Sequence, residues 1–218
     1  MSAYLVRKIV PAQYRQMPWR NGGGVTSEIA VFPEPEDGAA AIAQPFWWRL
    51  SIAAVKESGP FSLFPGYDRT LLMLSGDGME LSFGAAAAPL VVQKRGVPVA
   101  FSGELPTGCK LLGGAVRDFN IMTRRGRVKS RTQVRDLSVG QSQQVLVAGG
   151  TAFVFVLQGH IDVQAAAQTF VHTLQAEETL RLDFSTPDAP VWLALTAATA
   201  VAQALIVELS LAEAIDGA

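Results

Sequence analysis

Between Leu5 and Thr123 the chain is a series of short apolar stretches, rich in β-branched and aromatic residues and cut every few residues by glycine or proline. Such a pattern favours strands over helices. The stretches are Leu5–Val10, Val25–Phe32, Phe46–Val55, Leu71–Leu74, Met79–Phe83, Leu90–Gln93, Val97–Phe101, Leu111–Val116 and Phe119–Thr123. None keeps a 3.6-residue period; only Ala12–Met17 reads as one helical turn. Many short strands at this spacing predict an all-β sandwich or barrel with few short helices. Pro33–Pro45, with three prolines and a run of small residues, reads as a mobile loop. With 218 residues, 49% of them apolar, the chain can build one sizeable core or two small ones.

A faint internal repeat favours two. Leu71-Leu-Met-Leu-Ser-Gly76 followed by Met79-Glu-Leu81 resembles Val154-Phe-Val-Leu-Gln-Gly159 followed by Ile161-Asp-Val163. In each copy a strand ends at a glycine turn, a second strand returns, and a third follows about twenty residues later, Val97–Phe101 and Thr179–Leu182. Two tandem β-barrels are expected, residues 1–125 and 126–218, packed as one compact unit and free to exchange strands. The basic stretch Thr123–Arg135 between them reads as a linker or exposed hairpin. No aromatic residues alternate with its charges to stack bases, and the net charge of −1 offers no field for nucleic acid or anionic lipid. The longest apolar run, Ala189–Val207, is broken by Thr196, Thr199 and Gln203 and reads as buried core rather than a membrane span. One cysteine and no leader-like N-terminus fit a cytoplasmic protein.

Strand periodicity of two exposes polar tracks. In Phe46–Val55 one face carries Phe46, Trp48, Leu50, Ile52 and Ala54 and reads as core. The other carries Trp47, Arg49, Ser51, Ala53 and Val55, and suits either solvent or a barrel lumen in which Arg49 grips a ligand. Asp118, Asn120, Met122 and Arg124 share one side of the next such strand, which is either a ligand-facing track or an exposed edge. Asp68 and Arg69 stand just before the strand Thr70–Leu74, where a guanidinium could bind a carboxylate or simply be solvated. The run Asn21-Gly22-Gly23-Gly24, followed by Thr26 and Glu28, offers bare amides to a small polar ligand. It is no nucleotide fingerprint, because a strand and not a helix follows it.

No nucleophilic triad is in view. The two histidines, His160 and His172, lie far from these tracks and make a weak metal site. His160 follows a turn glycine and reads as a surface residue. Cys109 reads as a buried, inert thiol.

Four motifs occur in order: Pro18-Trp-Arg-Asn-Gly-Gly-Gly-Val-Thr-Ser-Glu-Ile29, Phe46-Trp-Trp-Arg-Leu-Ser-Ile-Ala53, Gly59-Pro-Phe-Ser-Leu-Phe-Pro-Gly-Tyr-Asp-Arg69 and Asp118-Phe-Asn-Ile-Met122. On these the chain, from about Pro18 to Arg125, resembles the HutD/Ves family. The resemblance implies a two-cupin fold and a link to bacterial histidine utilisation, by limiting flux or sensing an intermediate. It implies a pocket of Asn21, Gly24, Thr26, Arg49, Ser51, Phe61, Arg69, Asp118 and Asn120, with Gly22 adding a loop amide. Metal-dependent cupins carry histidines on the first strand pair; Met73–Leu81 has none, so no metal or other cofactor is expected. The favoured expectation is a metal-free binder of urocanate, formiminoglutamate or formylglutamate. The alternatives are a metal-free isomerase or hydrolase using Asp118 or Glu28 as acid or base, and a protein-interaction module. The resemblance leaves room for a homodimer paired through edge strands.

Overall fold

A computed structural model describes residues 4–19, 22–34, 45–84, 88–166, 171–186 and 190–212. Asn21 and nearly all of the proline-rich loop at 33–45 lie outside the described residues. Among those described the regular secondary structure is all strand, apart from a single 3-10 turn at Pro11–Gln13. The strands are β1 (Tyr4–Ile9), β2 (Arg15–Pro18), β3 (Gly24–Phe32), β4 (Trp48–Val55), β5 (Gly59–Pro60), β6 (Tyr67–Ser75), β7 (Met79–Phe83), β8 (Leu90–Val92), β9 (Val99–Ser102), β10 (Thr107–Leu111) and β11 (Val116–Arg124). They continue as β12 (Val128–Ser138), β13 (Ser142–Val147), β14 (Thr151–Gln158), β15 (His160–Ala165), β16 (His172–Gln175), β17 (Thr179–Phe184), β18 (Val191–Ala197) and β19 (Val201–Leu211). Among the described residues no helix is long and apolar enough to cross a membrane.

The chain forms two compact units. One is Tyr14–Arg127; the other joins the residues up to Gln13 with those from Val128 onward. In the first, a six-stranded sheet, β2-β3-β4-β11-β6-β9, accompanies a four-stranded sheet, β5-β10-β7-β8. Val55, Met73, Met79, Leu81, Val92, Cys109 and Val116 from both sheets meet in one core. In the second, sheets β1-β17-β14-β19-β12 and β13-β18-β15-β16 close over Val154, Val156, Ile161, Val163, Leu182, Leu193, Leu195 and Ile206.

The repeat has a structural counterpart. β6 and β14 each end at a glycine, Gly76 or Gly159, and lead into β7 or β15. The later strands β9 and β17 pair back onto β6 and β14. Several local readings need correction. Leu5–Val10 does not stay with the first unit: as β1 it pairs antiparallel with β17, from Tyr4↔Phe184 to Ile9↔Thr179. Leu111–Val116 is not a strand. Its Gly113-Gly114 pair turns the chain, with the Leu112 amide donating to Gly78 O and the Gly114 amide to Asp77 Oδ2. The turn expected at Ala12–Met17 shrinks to Pro11–Gln13, because Arg15–Pro18 pairs with β3 as a strand. Thr123–Arg135 is mostly strand: β11 ends at Arg124, and β12 pairs with β19 along its whole length.

β11 is no edge. It lies between β4 and β6, with Asp118 opposite Ala53 and Met73, Asn120 opposite Ser51 and Leu71, and Met122 opposite Arg49 and Arg69. Directly opposed residues in an antiparallel sheet point to the same side. The two polar tracks therefore share one face, while Leu50, Ile52, Phe119 and Ile121 on the other face are buried.

Candidate functional site

Successive rungs of that shared face change character along the strands. Val55 and Val116 are opposed at the apolar end. The next rung is Thr26, Ala53, Asp118 and Met73; then come Glu28, Ser51, Asn120 and Leu71; then Arg49, Met122 and Arg69. Where the rungs turn polar the interior opens into a cavity of about 440 Å³. Thr26, Arg49, Ser51, Phe61, Arg69, Asp118 and Asn120, seven of the residues expected at the site, line it.

Arg49 and Arg69 stand two strands apart with Met122 between them, roughly 10 Å from Cα to Cα. Both guanidiniums lie against the Phe64 ring, 5.4 and 5.7 Å from its centre. Arg49 also covers Phe46 at 4.9 Å and donates from Nη2 to Met122 Sδ at 3.2 Å, while its buried Nε has no hydrogen-bond partner. Arg69 is enclosed by Phe61 at 5.3 Å and Phe101 at 5.0 Å. Its Nε and Nη2 both donate to Asn120 Oδ1 at 3.3 Å. Asn120 Nδ2 in turn donates to Asp118 Oδ1 at 3.1 Å, and Asp118 Oδ2 is buried with no partner. On the far wall Trp19 Nε1 donates to Thr26 Oγ1 at 2.9 Å.

Burial governs the electrostatics. It raises the Asp118 carboxyl to about 7, against the pull of Arg69 and the Asn120 hydrogen bond. It lowers Arg69 to about 10, opposed by Asp118, and lowers Arg49, opposed mainly by Glu28. Cys109 is pushed up to about 11 by burial and then by Asp118, in keeping with an inert thiol. At neutral pH the cavity therefore holds two guanidiniums without an ion-pair partner among the described residues. Aromatic walls and partial burial strengthen their field relative to water. Such a pocket favours an anion with polar atoms along its length, a carboxylate above all.

The glycine run acts differently from the expectation. Gly22 and Gly24 do not line the cavity. The Gly22 amide donates to Trp19 O, and Gly24 O accepts from the Trp19 amide, so these two glycines close the β2–β3 turn. A Cβ on Gly24 would lie 2.5 Å from Ala54 O and 2.9 Å from the Trp19 ring. The glycine thus lets Trp19 fold down as the cavity wall. Glu28 stands in the Ser51 rung, but its carboxylate forms an ion pair with Arg15 of β2. The sequence reading omitted Met17, Pro18, Trp19, Pro60, Ser62 and Phe64 from the lining. Pro18, Trp19, Pro60, Ser62 and Phe64 all fall within the four motifs, while Met17 is marked only by facing Thr26 across β2–β3, a pairing invisible without the register.

The donor set does not suit a metal ion. The cavity offers guanidiniums, a carboxamide, hydroxyls and one carboxyl, and among the described residues no three His, Cys, Asp or Glu side chains cluster as ligands. His160 and His172 lie on β15 and β16 of the other unit, three rungs apart.

Comparison with known proteins places these features in a group. The HutD family model matches residues 11–202. A Pseudomonas putida relative described as an uncharacterized 21.2 kDa protein in the hutC 3′ region is 40% identical over 172 residues, 78% of this chain and 83% of the relative. Protein Ves of Cronobacter sakazakii is 36% identical over 151 residues, 66% of this chain and 74% of its own. Among solved structures, a conserved protein of unknown function from Pseudomonas aeruginosa PAO1 superposes with a TM-score of 0.81 at 34% identity, covering 94% of this chain and 99% of that one. HutD from Pseudomonas fluorescens SBW25 gives 0.76 at 28%, covering 95% and 99%. A cupin 2 conserved barrel domain protein from Leptotrichia buccalis gives 0.55 at 12%, covering 93% and 100%, which identifies the fold alone as cupin-like.

Proposed function

The chain belongs to the HutD family, and from that premise we propose that it binds a small carboxylic acid of histidine breakdown and thereby modulates histidine utilisation. The ligands considered are urocanate, formiminoglutamate and formylglutamate. One observation carries the reading: Arg49 and Arg69 converge on a single aromatic-walled cavity with no carboxylate paired to either among the described residues. The cost of holding cationic groups out of water is offset when an anion completes them. Ser51, Thr26 and the Asn120–Asp118 pair then face the remaining polar atoms of the ligand. Isothermal titration of the purified protein with the three acids is expected to give heat with at least one. Arg49→Ala should weaken that binding by roughly tenfold or more, the scale of a lost charge-assisted hydrogen bond. Absence of heat with all three acids would sink the proposal.

A second reading has its own support. A fully buried carboxyl close to neutrality, facing a ligand cavity, suits general acid–base work on a bound acid. Glu28 suits it less, since Arg15 holds its carboxylate. If Asp118 moves protons in a reaction, NMR will detect turnover of one of the three acids, and Asp118→Asn will stop it while leaving binding in place. Unchanged ligand after prolonged incubation with wild-type protein rejects catalysis.

A further inference from the structure

Asp118 is the only acidic residue with no solvent exposure among the described residues, and its two oxygens are not equivalent. Oδ1 accepts from Asn120 Nδ2. The orientation of that carboxamide is fixed from the far side, because both Arg69 nitrogens donate to Asn120 Oδ1 and so turn its NH2 toward Asp118. Oδ2 has no partner, and its carboxyl lines the cavity. The surroundings give an ionised Oδ2 little help. β4 presents Arg49, which lies against Phe46 and Met122, and β6 presents Arg69, already donating to Asn120. β10 presents the Cys109 thiol; β3 presents Glu28, held by Arg15 of β2; β7 and β8 contribute the apolar Met79, Leu81, Phe83 and Val92 to the core. A bare anionic oxygen here would be both desolvated and set against an incoming carboxylate.

We infer that Asp118 takes part in ligand binding as a neutral carboxylic acid, its Oδ2–H donating to an acceptor atom of the bound acid. Binding an anion therefore requires the proton, and wherever Asp118 is ionised in the free protein one proton is taken up from solvent with the ligand. This rests on the proposed carboxylate-binding role and assigns Asp118 the part of a specificity residue. It selects ligands with an acceptor, such as a formyl or carboxylate oxygen, at that end of the cavity. The raised carboxyl, about 7, places the change within reach of ordinary buffers.

N-formylglutamate is the suitable probe, since it has no group titrating between pH 6 and 9. Titration at pH 8 in Tris and in triethanolamine, cationic buffers whose ionisation heats differ, should reveal uptake of close to one proton per ligand bound. Affinity should fall about tenfold per pH unit well above 7. Asp118→Asn keeps the shape and places an N–H where Oδ2–H stood; it should bind with no proton uptake and with constant affinity from pH 6 to 9. Wild-type affinity that is flat over this range overturns the inference and leaves the binding role intact. So does loss of binding at pH 6 in a folded Asp118→Asn protein. If N-formylglutamate gives no heat, the carboxyl resonance of Asp118 in the free protein decides: deprotonation completed below pH 5 overturns the inference, and a midpoint near 7 sustains it.

Discussion

Gly24 and Gly22 stand two residues apart and answer to different physics. A methyl group at Gly24 would press on a carbonyl of β4 and on the indole of Trp19 at once. At Gly22 there is nothing within 4 Å, but φ is +74°, a conformation costly to any residue with a Cβ. Gly24→Ala is therefore expected to destabilise the protein by roughly 1–3 kcal/mol and to weaken ligand binding, because Trp19 must shift off Thr26. Gly22→Ala should cost roughly 1–2 kcal/mol and leave affinity nearly unchanged. Urea unfolding and ligand titration on both variants test this, and equal effects on affinity would show that Trp19 is no wall of the site. The identity of these residues was plain in the sequence; their task was not. A glycine run reads equally well as a ligand cradle or as a tight approach of two backbones, and only the position of the indole separates the two.

β4 and β11 show why so much of the site was legible at the level of elements. Both are buried on their two faces, so polar residues at every second position break an otherwise apolar strand and announce a lined interior. Pairing is another matter. Side-chain alternation identifies Leu5–Val10 as a strand but carries no information on its neighbour. The long intervening chain could bring it to many edges, and β17 is chosen by long-range complementarity: Val6 opposite Leu182, and Tyr4 opposite Phe184 with rings 5.9 Å apart. A charge introduced in the middle of β1 should expose that choice. Val6→Asp is expected to reduce amide-exchange protection at Leu180 and Leu182 of β17 more than at Leu50 and Ile52 of β4. A larger loss in β4 would mean that the strand supports the other unit.

At the scale of the molecule, one repeat serves two purposes. Placing Leu71 on Val154, as the glycine turns require, sets Arg69 on Ala152. The partners across the neighbouring strand then follow: Asp118 and Asn120 correspond to Ala204 and Ile206. Guanidinium, carboxyl and carboxamide in one unit are replaced in the other by side chains that pack into its aliphatic core. The tandem plan was legible from the two hairpins. The boundary was not, because the first strand of the chain lies in the sheet that also holds the last, β19. That routing sets an order of events during synthesis. Every strand around the cavity leaves the ribosome before Thr179, the partner of Ile9, is made. At ordinary elongation rates β1 waits roughly 10–30 s for β17. In that interval the nascent chain already carries every residue that lines the cavity, while its first strand still lacks the neighbour it pairs with.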